Sequence, residues 1–194
     1  MSASFGPSAL VTPANGVTLA RVAFTPVLLA MVADSGASYP ALALWVVLAA
    51  TDGLDGYLAR RHGTTRSGAF LDPLADKLLV LGAMVVLAVR GGFWWVPVAL
   101  IAGREVAMSA YRSWVGRRGV SIPARWSAKV KTVVQEVAVG CALFPPLADG
   151  APAVADAVLW VAVVLTLVSG VQYLLDGAGS TSGGGVNSRT AGAG

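Results

Sequence analysis

Six long apolar runs, separated by short polar breaks, account for most of the chain. They lie at 17–32, 41–59, 69–89, 93–114, 130–147 and 154–175. Each approaches the roughly 20 residues that a helix needs to cross the hydrocarbon core of a bilayer. The breaks carry turn chemistry: Asp34-Ser35-Gly36, His62-Gly63-Thr64, Gly91-Gly92, the stretch 116–123, and the stretch 145–152 with a proline at each end. The pattern predicts an all-α fold, an integral membrane bundle of six transmembrane helices. Residues 1–176 are expected to form one six-helix transmembrane domain. Residues 177–194 are rich in Gly, Ser and Thr and are expected to form a flexible tail. No internal repeat is evident.

Composition supports a lipid environment. Of 194 residues, 56% are hydrophobic and 12% charged, whereas soluble domains carry about a quarter charged residues. The mean hydropathy is +0.70. The net charge of +4 could point to nucleic acid, but the basic residues sit at the ends of apolar runs, where they act as topology determinants. Arg60, Arg61 and Arg66 surround the second connection; Arg117, Arg118, Arg125, Lys129 and Lys131 surround the fourth. The other connections hold Asp34, Arg90, Asp149 and Asp156. The positive-inside rule therefore puts both basic connections and both termini in the cytoplasm. Residues 1–10 lack the basic region of a secretory signal. With one cysteine, Cys141, and one histidine, His62, an internal disulfide and a His/Cys zinc site are excluded.

Against this background the carboxylates stand out, because a charge within a span is costly and usually functional. Asp52 and Asp55 are three residues apart on the second predicted helix, and Asp72 and Asp76 four apart on the third. Both spacings put the pair on one helical face. Two neighbouring helices can thus gather four carboxylates, which need protons or cations to coexist. An all-oxygen donor set suits Mg²⁺, Mn²⁺ or Ca²⁺, and two such ions would serve phosphoryl-group chemistry. Gly56 and Ala59 each follow one of the aspartates by four residues, and Gly68 precedes Asp72 by four. These small residues would let a bulky ligand such as a nucleotide approach the backbone, although in membrane helices they also serve packing. Arg60, one turn beyond Gly56, could meet phosphate oxygens.

These positions resemble the signature of the CDP-alcohol phosphatidyltransferases, D-x2-D-G-x2-A-R followed by G-x3-D-x3-D. The chain matches at Asp52, Asp55, Gly56, Ala59, Arg60, Gly68, Asp72 and Asp76. The spacer, 61–67, has seven residues where the family usually has eight. Asn15, Thr18 and Arg21, then Gly103-Arg104-Glu105 with Arg112, then Lys129-Val130-Lys131-Thr132 with Gln135, resemble the bacterial glycerol-3-phosphate-using branch, the phosphatidylglycerophosphate synthases.

The resemblance implies a six-helix homodimer with a cytoplasm-facing cavity in a bacterial inner membrane. It implies that Asp52, Asp55, Asp72 and Asp76 bind two Mg²⁺ or Mn²⁺ ions and that Asp76 is also the general base. Asp52, Gly56, Ala59, Arg60 and Gly68 would bind the CDP-lipid, CDP-diacylglycerol. The acceptor, glycerol 3-phosphate, is anionic and needs fixed positive charge, for which Arg104, Lys131, Arg112 and Lys129 are the candidates. Glu105 could pair with a neighbouring cation. The expected products are phosphatidylglycerophosphate and CMP. Alternatives within the family are a cardiolipin synthase or an inositol-phosphate-using relative. From another class, a divalent-cation transporter would also carry intramembrane carboxylates.

Overall fold

The computed structural model describes residues 13–62, 68–117 and 126–182, with side chains over 16–51, 74–114 and 129–173 and at 175. Among the described residues every element is helical. The order is α1 (Pro13–Ser35), α2 (Tyr39–His62), α3 (Gly68–Val89), α4 (Trp95–Arg117), α5 (Trp126–Leu143), α6 (Pro145–Gly150) and α7 (Pro152–Ser182). The six long helices coincide with the six predicted runs. Helix α7 continues to Ser182, six residues into the expected tail; the rest of that tail lies outside the described residues.

The break expected at 145–152 instead contains α6, a helix of six residues. Two consecutive prolines open it. Their fixed φ suits the first helical turn, where a missing N–H costs nothing. Phe144 supplies the extended residue before it, and its carbonyl accepts from Leu147 and Ala148 at 3.0 Å each.

The connections are tight and have identifiable stops. Gly36 ends α1 at φ +68°, a region glycine enters without penalty. Arg90, just past α3, caps the same end: its Nη1 donates to the carbonyl oxygens of Ala33 and Asp34. Gly91, at φ +79°, turns the chain out of α3, and Gly92 donates to the Leu87 carbonyl at 2.8 Å.

Helix α1 packs on both α2 and α3, α5 packs on α7, α2 and α3, and α4 bridges α7 and α3. The interior is divided by polarity. Apolar core residues lie at 28–48, 79–101 and 138–163, centred on Leu28, Trp45, Leu79, Met84, Ile101 and Leu159. Buried polar residues lie in the other half: Thr18, Arg21 and Thr25 on α1, Glu105 on α4, Lys131 and Gln135 on α5, Thr166 and Ser169 on α7. That half is the end of the bundle toward which α2 carries Asp52 and Asp55.

Apolar side chains also cover the outside. Phe24, Val47, Val85, Val106, Val133 and Val164, one from each long helix, are all exposed. Among the described residues, Gly16–Ser35 and Pro152–Tyr173 are long and apolar enough to cross a membrane.

Candidate active site

The aspartate motif falls wholly on regular helix. Asp52, Asp55, Gly56, Ala59 and Arg60 lie on α2, and Gly68, Asp72 and Asp76 on α3. The within-helix spacings of the motif are therefore kept, and α1 packs against both helices that carry it. The side chains of Asp52, Asp55, Ala59, Arg60 and Asp72 lie outside the described residues, as does the connection 63–67. Asp76 is described and is partly buried.

From Asp76 a network of polar side chains runs into the bundle. Lys77, the next residue, reaches α4 and donates to Ser109 Oγ. Ser109 in turn donates to the Glu105 carbonyl at 2.7 Å, one turn back along α4. The Glu105 carboxylate is the hub. Its Oε1 accepts from Arg104 Nη1 at 2.8 Å and from Lys131 Nζ on α5. Arg104 Nη2 donates to Ser169 Oγ on α7 at 2.9 Å, and Ser169 donates to the Thr166 carbonyl at 3.0 Å. Gln135 Nε2 closes the network, donating to Thr166 Oγ1 at 2.9 Å.

Burial makes these contacts consequential. Glu105 is 8% exposed and Lys131 6%. Unpaired charges at such positions would carry a desolvation cost of several kcal/mol each. A close approach between α4 and α7 is built in: a Cβ on Gly170 would stand 3.2 Å from Arg104 Nε.

Of the four candidate acceptor-binding residues, the structure brings Arg104 and Lys131 together. Arg112 and Lys129 stay on the surface of their helices. Arg112 rests over the Tyr173 ring of α7, its Cζ 5.6 Å from the centroid, and Tyr111 meets the same ring edge-on. Ser109, Ser169 and Tyr173 have no place in the sequence reading of this site. One faint signal for α7 exists: Thr166, Ser169 and Tyr173 recur at three- and four-residue spacing in an otherwise apolar run.

An apolar groove of about 630 Å³ lies between α2 and α5. Leu42, Trp45, Ala49, Val137, Gly140 and Phe144 are among its lining residues. It reaches Ala50, within one turn of Asp52.

The sequence model of CDP-alcohol phosphatidyltransferases matches residues 11–168, a span that includes the motif, the groove and all of the network except Ser169. The chain belongs to the CDP-alcohol phosphatidyltransferase family. It is accordingly a membrane transferase of phospholipid biosynthesis. Named relatives are similar over most of their length. A probable phosphatidylglycerophosphate synthase of Mycobacterium tuberculosis (strain H37Rv) is 40% identical over 176 residues, covering 87% of this chain and 83% of the relative. The CDP-diacylglycerol–glycerol-3-phosphate 3-phosphatidyltransferase of Escherichia coli (strain K12) is 42% identical over 165 residues, covering 81% of this chain and 90% of the relative. A Shigella flexneri protein of the same name matches equally well, at 42% over 165 residues.

Proposed function

We propose that this phosphatidyltransferase moves the phosphatidyl group of CDP-diacylglycerol onto glycerol 3-phosphate, giving phosphatidylglycerophosphate and CMP. The observation that carries this reading is the cationic cluster of buried Lys131 and partly buried Arg104, in the half of the bundle that holds the aspartate motif. A phosphate-bearing acceptor gives such a cluster a purpose; a neutral alcohol would not. The names of the relatives agree with it.

The donor set fits divalent metal, since Asp52, Asp55, Asp72 and Asp76 are hard oxygen ligands carried by two helices that both pack on α1. These four would hold two ions, Mg²⁺ or Mn²⁺, whose chemistry when bound is to neutralise the pyrophosphate and polarise its phosphorus. Asp76 is the general base. Its carboxylate takes the proton of the acceptor hydroxyl as that oxygen forms a bond to the phosphorus bearing diacylglycerol. The bond from that phosphorus to the bridging oxygen breaks, and CMP departs with the electron pair. Arg60 stabilises the charge developing on CMP. Gly56, Ala59 and Gly68 leave room for the nucleotide, and an acyl chain of the donor fits the groove between α2 and α5.

The same reading makes all six long helices transmembrane. Each is 18 residues or longer and shows an exposed apolar face, and the basic connections put the site on the cytoplasmic side of a bacterial inner membrane. A homodimer is part of it.

Purified protein supplied with CDP-diacylglycerol and labelled glycerol 3-phosphate should place the label in an acidic phospholipid. Label transfer from phosphatidylglycerol but not from glycerol 3-phosphate would replace the acceptor and make the protein a cardiolipin synthase.

A further inference from the structure

Lys77 has no part in the reaction as described so far, yet its placement is unusual for a lysine on a membrane helix. Such a side chain normally runs along apolar surface and lifts its ammonium to the interface. Lys77 instead turns inward, is partly buried, and gives its ammonium to the hydroxyl of Ser109. A hydroxyl satisfies a donor but neutralises no charge.

The charges around it do not balance. Arg104 and Lys131 both pair with the single carboxylate of Glu105, and Lys77 joins the same turn of α4 through Ser109 and the Glu105 backbone carbonyl, so three cations share one carboxylate, a formal excess of two positive charges. Asp76 and Arg112, of opposite charge, are also within electrostatic reach of Lys77. Excess charge in a low-dielectric interior is costly unless a counter-ion arrives. A phosphate monoester near pH 7 carries up to two negative charges, its second pKa being about 6. A phosphodiester carries one and a free alcohol none. The resident charge therefore matches a phosphate monoester best.

We infer that Lys77 is the third cation of the acceptor-phosphate seat, with Arg104 and Lys131, and that it anchors the phosphate beside the base that deprotonates the same molecule. Lys77 and Asp76 are consecutive on α3, so the acceptor's two ends, phosphate and attacking hydroxyl, would be held by neighbouring residues of one helix. Ser109 sets the direction of the ammonium, and Glu105 keeps Arg104 and Lys131 from repelling each other out of the seat. The inference rests on the glycerol 3-phosphate reading above.

The test is steady-state kinetics of the full chain in lipid–detergent micelles, varying glycerol 3-phosphate and CDP-diacylglycerol separately. Lys77→Met should raise KM for glycerol 3-phosphate on the order of tenfold to a hundredfold, the effect of losing one charge-assisted hydrogen bond. KM for CDP-diacylglycerol should stay within about twofold. Inorganic phosphate, used as a competitive inhibitor, should weaken in parallel. Lys77→Arg should recover part of the loss, and Ser109→Ala should move the same KM in the same direction by a smaller factor. An unchanged KM for glycerol 3-phosphate in both Lys77→Met and Ser109→Ala, with only kcat reduced, would overturn the inference and leave the acceptor reading intact. A wild-type enzyme indifferent to glycerol 3-phosphate would overturn the acceptor reading itself.

Discussion

One oxygen of Glu105 accepts from both Arg104 and Lys131, and this sharing decides how the site responds to substitution. Removing the carboxylate leaves two buried cations facing each other. Breaking a buried pair in this way costs about 3–5 kcal/mol. Glu105→Gln should therefore lower the thermal unfolding midpoint markedly in detergent, and Lys131→Met added to it should recover part of the loss. Additive losses in the double variant would show that the two residues do not act as a pair. At this scale the sequence displays its intramembrane aspartates and Arg104, Glu105 and Lys131 openly, because charge in an apolar run is conspicuous. Ser109 and Ser169 are hidden in the same runs, since a small hydroxyl there reads as helix packing until its partner is seen. Lys77 is visible, but which way it turns depends on the distance between α3 and α4.

The helices hold the network in place, and the close approach of α4 to α7 is where that support can be tested. Gly170 leaves the space that Arg104 Nε occupies, and Arg104 is already fixed at both terminal nitrogens by Glu105 and Ser169. Gly170→Ala should push the guanidinium aside by a few tenths of an ångström. Catalytic efficiency with glycerol 3-phosphate should fall severalfold, while the unfolding midpoint moves little, because alanine favours helix over glycine by about 1 kcal/mol. Equal losses in activity and stability would mean that the bundle, and not Arg104, absorbs the added methyl. The long helices were readable from apolar runs bounded by glycine and proline. Helix α6 was not: two prolines in a stretch of six residues signal a break, and only the chain's need to turn between α5 and α7 makes them the start of a helix.

At the scale of the molecule, the bundle separates an apolar half from a polar half, with the aspartate motif on the polar side. The apolar half, around Trp45, Leu79 and Met84, supplies close packing. The polar half is stable only with its charges paired, which is what a substrate of opposite charge and bound cations would provide. The exposed apolar faces of the long helices suit a membrane environment. That environment was evident from hydropathy, whereas the division of the interior was not, since burial on a membrane helix is set by neighbours that hydropathy does not identify. The most direct measurement of the central claim is CMP release from CDP-diacylglycerol by the purified protein, with and without glycerol 3-phosphate, in Mg²⁺ or Mn²⁺ and in chelator, beside Asp76→Asn. Release should require metal and glycerol 3-phosphate together and should fall by about 10²-fold or more in Asp76→Asn, the usual contribution of a general base. Release that survives chelation, or full activity in Asp76→Asn, would contradict the account.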